Sequence, residues 1–242
     1  KGVSDLGFNT GKAPLNNHRL REAIALGSKR DIIIEAIMMN SVEKANSILG
    51  PSVTGYSKNA KTLEYNQNKA KEILKEINYD YSTTIKYIIP SSELSKQSAT
   101  VIQAQLKEIG INIEIEQLEW SAFLSASGRG ETDLFSMSWS NSSGDADYSL
   151  FGILHSSMAG TQGNRSFFKN NQFDHLLEKG KVELNKEKRM SFYEEAQNII
   201  NKEIPLFPLN FSLANAGVNI KNIEGYIQSP LNNPNFFKLK FK

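Results

Sequence analysis

The sequence holds no cysteine, and only seven prolines and two tryptophans in 242 residues. Without a thiol there is no disulfide framework, no thiolate metal cluster and no cysteine nucleophile. No apolar run approaches the ~18 residues that a membrane-spanning helix needs. Neither charge dominates: 28 basic against 26 acidic side chains leave a net charge of +2, too little to draw a nucleic acid. The three histidines, His18, His155 and His175, show no HxxH or HExxH spacing, so they read as surface or capping residues. No serine lies in a GxSxG context and no GxxxxGK[ST] loop is present, which leaves serine-hydrolase and P-loop chemistry without a motif. Neither a metal nor a cofactor is expected. The chain opens at Lys1-Gly2-Val3 without a charged-then-apolar targeting segment, which fits either a removed leader or a piece of something longer.

What is present is an ordinary globular composition, 39% hydrophobic and 22% charged, enough for one or two domains. Strand-like and helical runs alternate, the pattern of an α/β chain. Val3 to Asn9 reads as a strand. Asn16 or Asn17 caps a helix with Leu20, Ala23, Ile24 and Gly27 on one face, and a second helix follows from Asp31. Ser47 to Ser57 carries loop signals, and Asn66 to Ile77 is helical. Thr83 to Ile89 is a strand stopped by Pro90. A helix from Ser91 or Ser92 then buries a stripe from Leu94 to Ile109, ending at Gly110 in a left-handed cap. Ile111, Ile113 and Ile115 alternate with polar residues in a half-exposed strand. Trp120 to Ala126 is a short helix, Leu134 to Trp139 a strand, Phe173 to Gly180 and Lys186 to Asn201 helices. Ile204 to Leu209 is an apolar strand whose two prolines place it at an edge or a crossing point. Phe236 to Phe241 alternates apolar residues with lysine, like a last strand.

Two stretches could carry chemistry. Asp145 and Asp147 flank Ala146 ahead of an apolar helical run. Two acids at that spacing suit a cation or acid/base chemistry. Capping the helix and complementing its dipole is the simpler role, because no third ligand lies nearby. Trp139-Ser140-Asn141-Ser142-Ser143 follows a strand, setting an apolar wall beside donors and acceptors, where open α/β structures tend to hold ligands.

Several blocks, in order, resemble a known family. Phe8-Asn9-Thr10, Lys12, Pro14-Leu15-Asn16-Asn17, Leu20-Arg21-Glu22-Ala23-Ile24 and Lys29-Arg30-Asp31 are similar to the signature of oligopeptide-type (family 5) solute-binding proteins of ABC importers. Tyr65-Asn66 with Lys69 to Leu74, Ile102-Gln103 to Ile111, Trp139 to Asp147, Asn164 to Phe168 with Asp174 to Leu177, Arg189 to Ile200, and Ile204 to Leu209 continue the match.

The resemblance implies a type II periplasmic-binding-protein-like C-terminal lobe, a mixed sheet flanked by helices, in a longer two-lobed protein whose hinge closes on a ligand. Residues 1–10 would then be a hinge crossing, 11–209 the lobe, and 210–242 a segment returning to the N-terminal lobe, with exposed apolar residues near both ends. It implies a non-enzymatic, extracytoplasmic carrier of a peptide-like ligand, monomeric, serving ABC permease subunits and held at a membrane only through a lipid anchor upstream. Peptide-binding branches place an Asp three residues after this Trp, to pair with the peptide ammonium; here Ser142 stands there. The block from Trp139 to Asp147 is closer to the glutathione-binding branch, which keeps glutathione or a nickel chelate as alternatives. The implied ligand-binding residues are Trp139 for apolar contact, Ser140, Asn141 and Ser142 for hydrogen bonds, and Asp145 or Lys96 for charge, with Arg165 either facing the cleft or held in a loop salt bridge. A hydrolase using Asp145 and Asp147 is the alternative from another class.

Overall fold

The computed structural model describes residues 2–212, 217–227 and 236–242. Among these, a mixed six-stranded sheet runs through the molecule in the order β2-β6-β1-β5-β3-β4. The strands are β1 (Gly2–Phe8), β2 (Glu43–Lys44), β3 (Thr84–Pro90), β4 (Asn112–Leu118), β5 (Leu134–Ser140) and β6 (Leu206–Phe211). β3, β4 and β5 run parallel, while β1 lies antiparallel between β5 and β6. The carboxyl ends of the parallel strands, the start of β1 and the end of β6 therefore share one edge. Gly2 stands opposite Ser140 and Val3 opposite Phe211 at that edge.

Side chains of a strand alternate between faces, and here each face has its own core. Leu6, Phe8, Ile85, Tyr87, Ile89, Leu134, Phe207 and Leu209 meet α1 (His18–Gly27), α3 (Gln67–Glu76) and α4 (Glu93–Lys107). Ile88, Phe135 and Leu206 meet α5 (Trp120–Gly128), α6 (Ala146–Leu154), α7 (Asn171–Val182) and α8 (Lys186–Glu203). The central strands are thus covered on both sides, as a parallel sheet requires.

Local chemistry sets most of the boundaries. Asn17, Asn66, Ser92, Asp145, Asn170 and Asn185 each cap a helix by accepting from a backbone amide two or three residues on. Gly110 has φ +91, the left-handed geometry expected after α4. The helix expected from Asp31 begins as α2 (Arg30–Ile32) and widens into a π-helical turn, Ile33–Ile37. β3 ends at Pro90, as expected, and the Pro90 carbonyl accepts from Ser92 N in the following turn. Leu94, expected on the buried stripe of α4, is 48% exposed, at the mouth of a cleft it shares with Ile33, Met38 and Leu209.

β6 tolerates Pro208 because its outer neighbour is only the two-residue β2, which pairs with Phe211 and Asn210. Pro208's carbonyl instead accepts from the buried Arg30 Nη1 at 2.9 Å, and the guanidinium lies 4.9 Å from the Phe207 ring centroid. Arg21, also buried, donates to the carbonyls of Leu15, Glu203 and Ile204 and so ties α1 to the approach of β6. The two arginines of the matched signature are structural.

The expected strand over Phe236–Phe241 is instead a 3-10 turn, Phe236–Lys238, followed by β8 (Lys240–Phe241), which pairs with β7 (Ile223–Glu224). Strong exposure of Ile220, Ile227, Phe237 and Phe241 meets the expectation of apolar surface near one end; near the other, Val3 is 2% exposed. The stretch from Ala214 to Ala216 lies outside the described residues.

Gly7 marks where the layers fit most closely. A Cβ there would come 2.2 Å from the Phe135 ring. Gly7→Ala is expected to destabilise the fold by about 1–3 kcal/mol in urea unfolding, with part of the loss recovered by Phe135→Leu.

Candidate functional site

β5 sends Phe135, Met137 and Trp139 to the α5–α8 face and Ser136 and Ser138 to the other. Trp139 is half-buried at the sheet edge. Its indole Nε1 donates to Ser149 Oγ at 3.1 Å, its ring centroid lies 5.8 Å from that of Tyr148, and it packs over Gly152. One side remains open. Asp5, Phe135, Met137, Trp139, Ile153 and Arg165 line a pocket of about 320 Å³ including its mouth, completed by Gly163, Ser166 and Leu206.

The loop after Trp139 is held by its own polar groups. Asn141 Nδ2 donates to Asp145 O at 2.6 Å and Ser149 Oγ at 2.7 Å, and its Oδ1 accepts from Gly144 N at 2.6 Å. Gly144, at φ +74, makes the turn that allows this. Asn141 is therefore spent on the loop. Ser140 and Ser142 are exposed at the edge.

Asp145 is also committed. Arg189 of α8 grips it with two hydrogen bonds, Nη2 to Oδ1 at 2.7 Å and Nη1 to Oδ2 at 2.8 Å. Arg189 also donates to Gly180 O and Tyr193 Oη. Asp145 Oδ1 accepts from Asp147 N at 2.9 Å as the cap of α6. Burial alone would raise the Asp145 carboxyl, but the Arg189 and Asp147 bonds outweigh it and hold it below the usual range. Burial pushes Asp147 the other way, above its usual value. Asp145, expected to supply charge to a ligand, has that charge met by Arg189 inside the protein. The same pairing leaves the hydrolase alternative without a free carboxylate dyad, and no cluster of three or more potential metal ligands occurs among the described residues.

Lys96 is placed apart from Trp139. It sits exposed on the first turns of α4, on the opposite face of the sheet from Trp139. There Leu94, Ser95, Ser98, Ser4, Ser136 and Ser138 border a second, hydroxyl-rich cleft of about 530 Å³. Arg165 does share the Trp139 pocket. Its Nε donates to Ser127 Oγ at 3.1 Å and Nη1 to Gly163 O at 3.3 Å.

Sequence reasoning missed Asp5, which is 4% exposed with an Oδ1 lacking any hydrogen-bond partner among the described residues. Burial raises its carboxyl well above the usual range. The available signal was a lone acid within the otherwise apolar run of β1. His155, by contrast, has the capping role expected: its Nδ1 accepts from Ser157 N and its ring stacks on Phe151.

Comparison with known proteins agrees with this architecture. Residues 2–161 match the family described as "Bacterial extracellular solute-binding proteins, family 5 Middle", and the chain belongs to that family. Similar proteins include the "Peptide transport periplasmic protein SapA" of Salmonella typhimurium, 32% identical over 97% of this chain and 43% of that protein. "Heme-binding protein A" of Haemophilus influenzae is 30% identical over 97% of this chain and 44% of that protein. Among solved structures, the periplasmic binding protein DppA from Helicobacter pylori in complex with peptide STSA superposes with TM-score 0.86. It is 31% identical over 99% of this chain and 47% of that one. HbpA2 from Haemophilus parasuis, at TM-score 0.88 and 24% identity, shares the fold over 48% of its length. The chain thus spans under half the length of the curated relatives it matches. The glutathione expectation finds no support in these relatives.

Two outcomes are expected from this geometry. Arg189→Met leaves Asp145 partly buried without its counter-ion and should cost about 1–3 kcal/mol in urea unfolding. Asp5→Asn should stabilise the fold at pH 7 by upwards of about 1 kcal/mol. An acid whose folded pKa is raised keeps its proton in the fold after the unfolded chain has lost it, so stability falls as pH rises above about 4. The gain from Asp5→Asn should therefore vanish near pH 3, where both states hold the proton.

Proposed function

We propose that this chain is one lobe of a two-lobed, extracytoplasmic solute-binding subunit that captures a peptide-like ligand and delivers it to an ABC permease. One observation carries the reading. The central strands β1 and β6 run side by side to the sheet edge that bears the Trp139 loop, with Ser212 N bonded to Gly2 O at 2.9 Å. Chain segments that pass there to a second lobe would form a hinge against the ligand, as in hinge-closing binding proteins. In this division, 1–10 is a crossing, 11–209 the lobe and 210–242 the return segment.

The peptide named with DppA and the peptide transport named for SapA support the ligand class. Trp139 supplies the apolar wall, and the hydroxyls of Ser140 and Ser142 the exposed donors and acceptors at its rim. Arg165 faces the same pocket. We assign the chain no catalytic step, an anchor upstream, and action as a monomer.

Calorimetry tests the reading. The full-length protein should bind at least one small peptide with a micromolar or tighter Kd, while the 242-residue piece alone should bind it at least tenfold more weakly, because one jaw cannot enclose a ligand. Tight binding by the piece, or none by the full-length protein across peptides and glutathione, would overturn it.

A further inference from the structure

The edge of the sheet opposite Trp139 carries a pocket of its own. β1 ends there, with Phe8 standing against Leu134 at the start of β5. Thr10, Asn16, Arg21, Phe167, Lys169 and Glu203 border about 430 Å³ of space, within the range that holds small ligands. Arg21 is 4% exposed. It donates to the carbonyls of Leu15, Asn16, Glu203 and Ile204, all neutral acceptors, and one of its two Nη2 hydrogens has no acceptor among the described residues. Burial pulls its guanidinium down to about 10, so it stays charged at pH 7, and the Glu203 carboxylate acts on it only from beyond ion-pair distance. Lys169 is exposed and has no ion pair among the described residues. Phe167 holds φ +52, a left-handed conformation that a bulky residue keeps only under constraint. Glycines supply the constraint: a Cβ on Gly130 would come 3.0 Å from the Phe167 ring, and one on Gly11 3.0 Å from its Cβ.

We propose that this pocket is a second ligand site, one that takes a small organic carboxylate with an aromatic or apolar body. A carboxylate only accepts hydrogen bonds, which complements an unspent guanidinium hydrogen and an unpaired ammonium. A buried cation met by carbonyls alone still lacks a counter-charge, and an anion that reaches it is attracted in surroundings poor in water, where charge counts most. The Phe167 ring, held by the glycines beneath it, offers the body of the ligand an apolar wall. Charge also sets the valence. Arg21 and Lys169 against Glu203 leave a single net positive charge, which suits a monoanion better than a phosphate dianion. The seven residues of β1, roughly 20 Å of strand, separate this pocket from the Trp139 loop, so the inference stands apart from the peptide reading.

The test titrates benzoate and its uncharged counterpart benzamide into the full-length protein, followed by ligand-observed NMR. It compares the wild type with Lys169→Met and Glu203→Gln, neither of which removes a buried side chain, and circular dichroism confirms that both variants are folded. The wild type should bind benzoate at least about fivefold more tightly than benzamide. Lys169→Met should narrow that preference to within about twofold, and Glu203→Gln, which removes the opposing acid, should widen it by at least about twofold. Equal binding of the two probes, a preference that neither variant moves, or no binding of benzoate overturns the site. Inorganic phosphate that binds more tightly than benzoate overturns the assignment to a carboxylate.

Discussion

A strand walled in on both faces must give every side chain to one core or the other, and β1 is bound by that constraint along its length. Leu6 and Phe8 go to the α1–α4 side, while Gly7 must be bare because Phe135 fills the space a Cβ would need. Asp5 falls on the other side by alternation alone. A slip of one residue would exchange the two sets, sending Leu6 and Phe8 toward the α5–α8 side and Asp5 toward the α1–α4 side. The position of β1 also decides where the protein can act. Antiparallel between β5 and β6, it brings its own start, the end of β6 and the Trp139 loop to a single edge. The chain's passage and the candidate site are therefore one feature of the topology.

At that edge, most of the polar groups near the indole are internally satisfied. Asn141, Asp145, Ser149 and Arg189 form a closed set of hydrogen bonds around the turn at Gly144. Such a set fixes the loop before any ligand arrives, which lowers the ordering cost of binding. It also removes those groups from recognition, since a carboxylate already gripped by a guanidinium at two points has little left to offer a second cation. Left outside that set are the indole of Trp139, the exposed hydroxyls of Ser140 and Ser142, and Arg165.

The fold was largely legible in the sequence because its signals are local. Asn17, Asn66 and Ser92 name the starts of three helices, Gly110 the end of one, and alternating isoleucines the half-exposed β4. The segments that misled were those where a neighbour decides. The helix expected from Asp31 gives way to a π-helical turn at Ile33–Ile37, and Leu94, expected on a buried stripe, borders an open cleft. The site was legible only as a place. Trp139 and Arg165 do share a pocket, but Lys96 lies across the sheet, a separation no spacing along the chain reveals. The grip of Arg189 on Asp145 spans two elements far apart in sequence, so resemblance could mark both residues without disclosing that each answers the other.

Asp5 shows why charge in a half-cleft has to be read against burial rather than position. Exposed at the rim, like Ser142, an acid would be solvated and would gain little from a ligand cation, because water already serves it. Set two residues inside the edge, it has lost that water and gained no protein partner. The fold therefore bears a standing penalty that a mutation to a neutral residue would relieve.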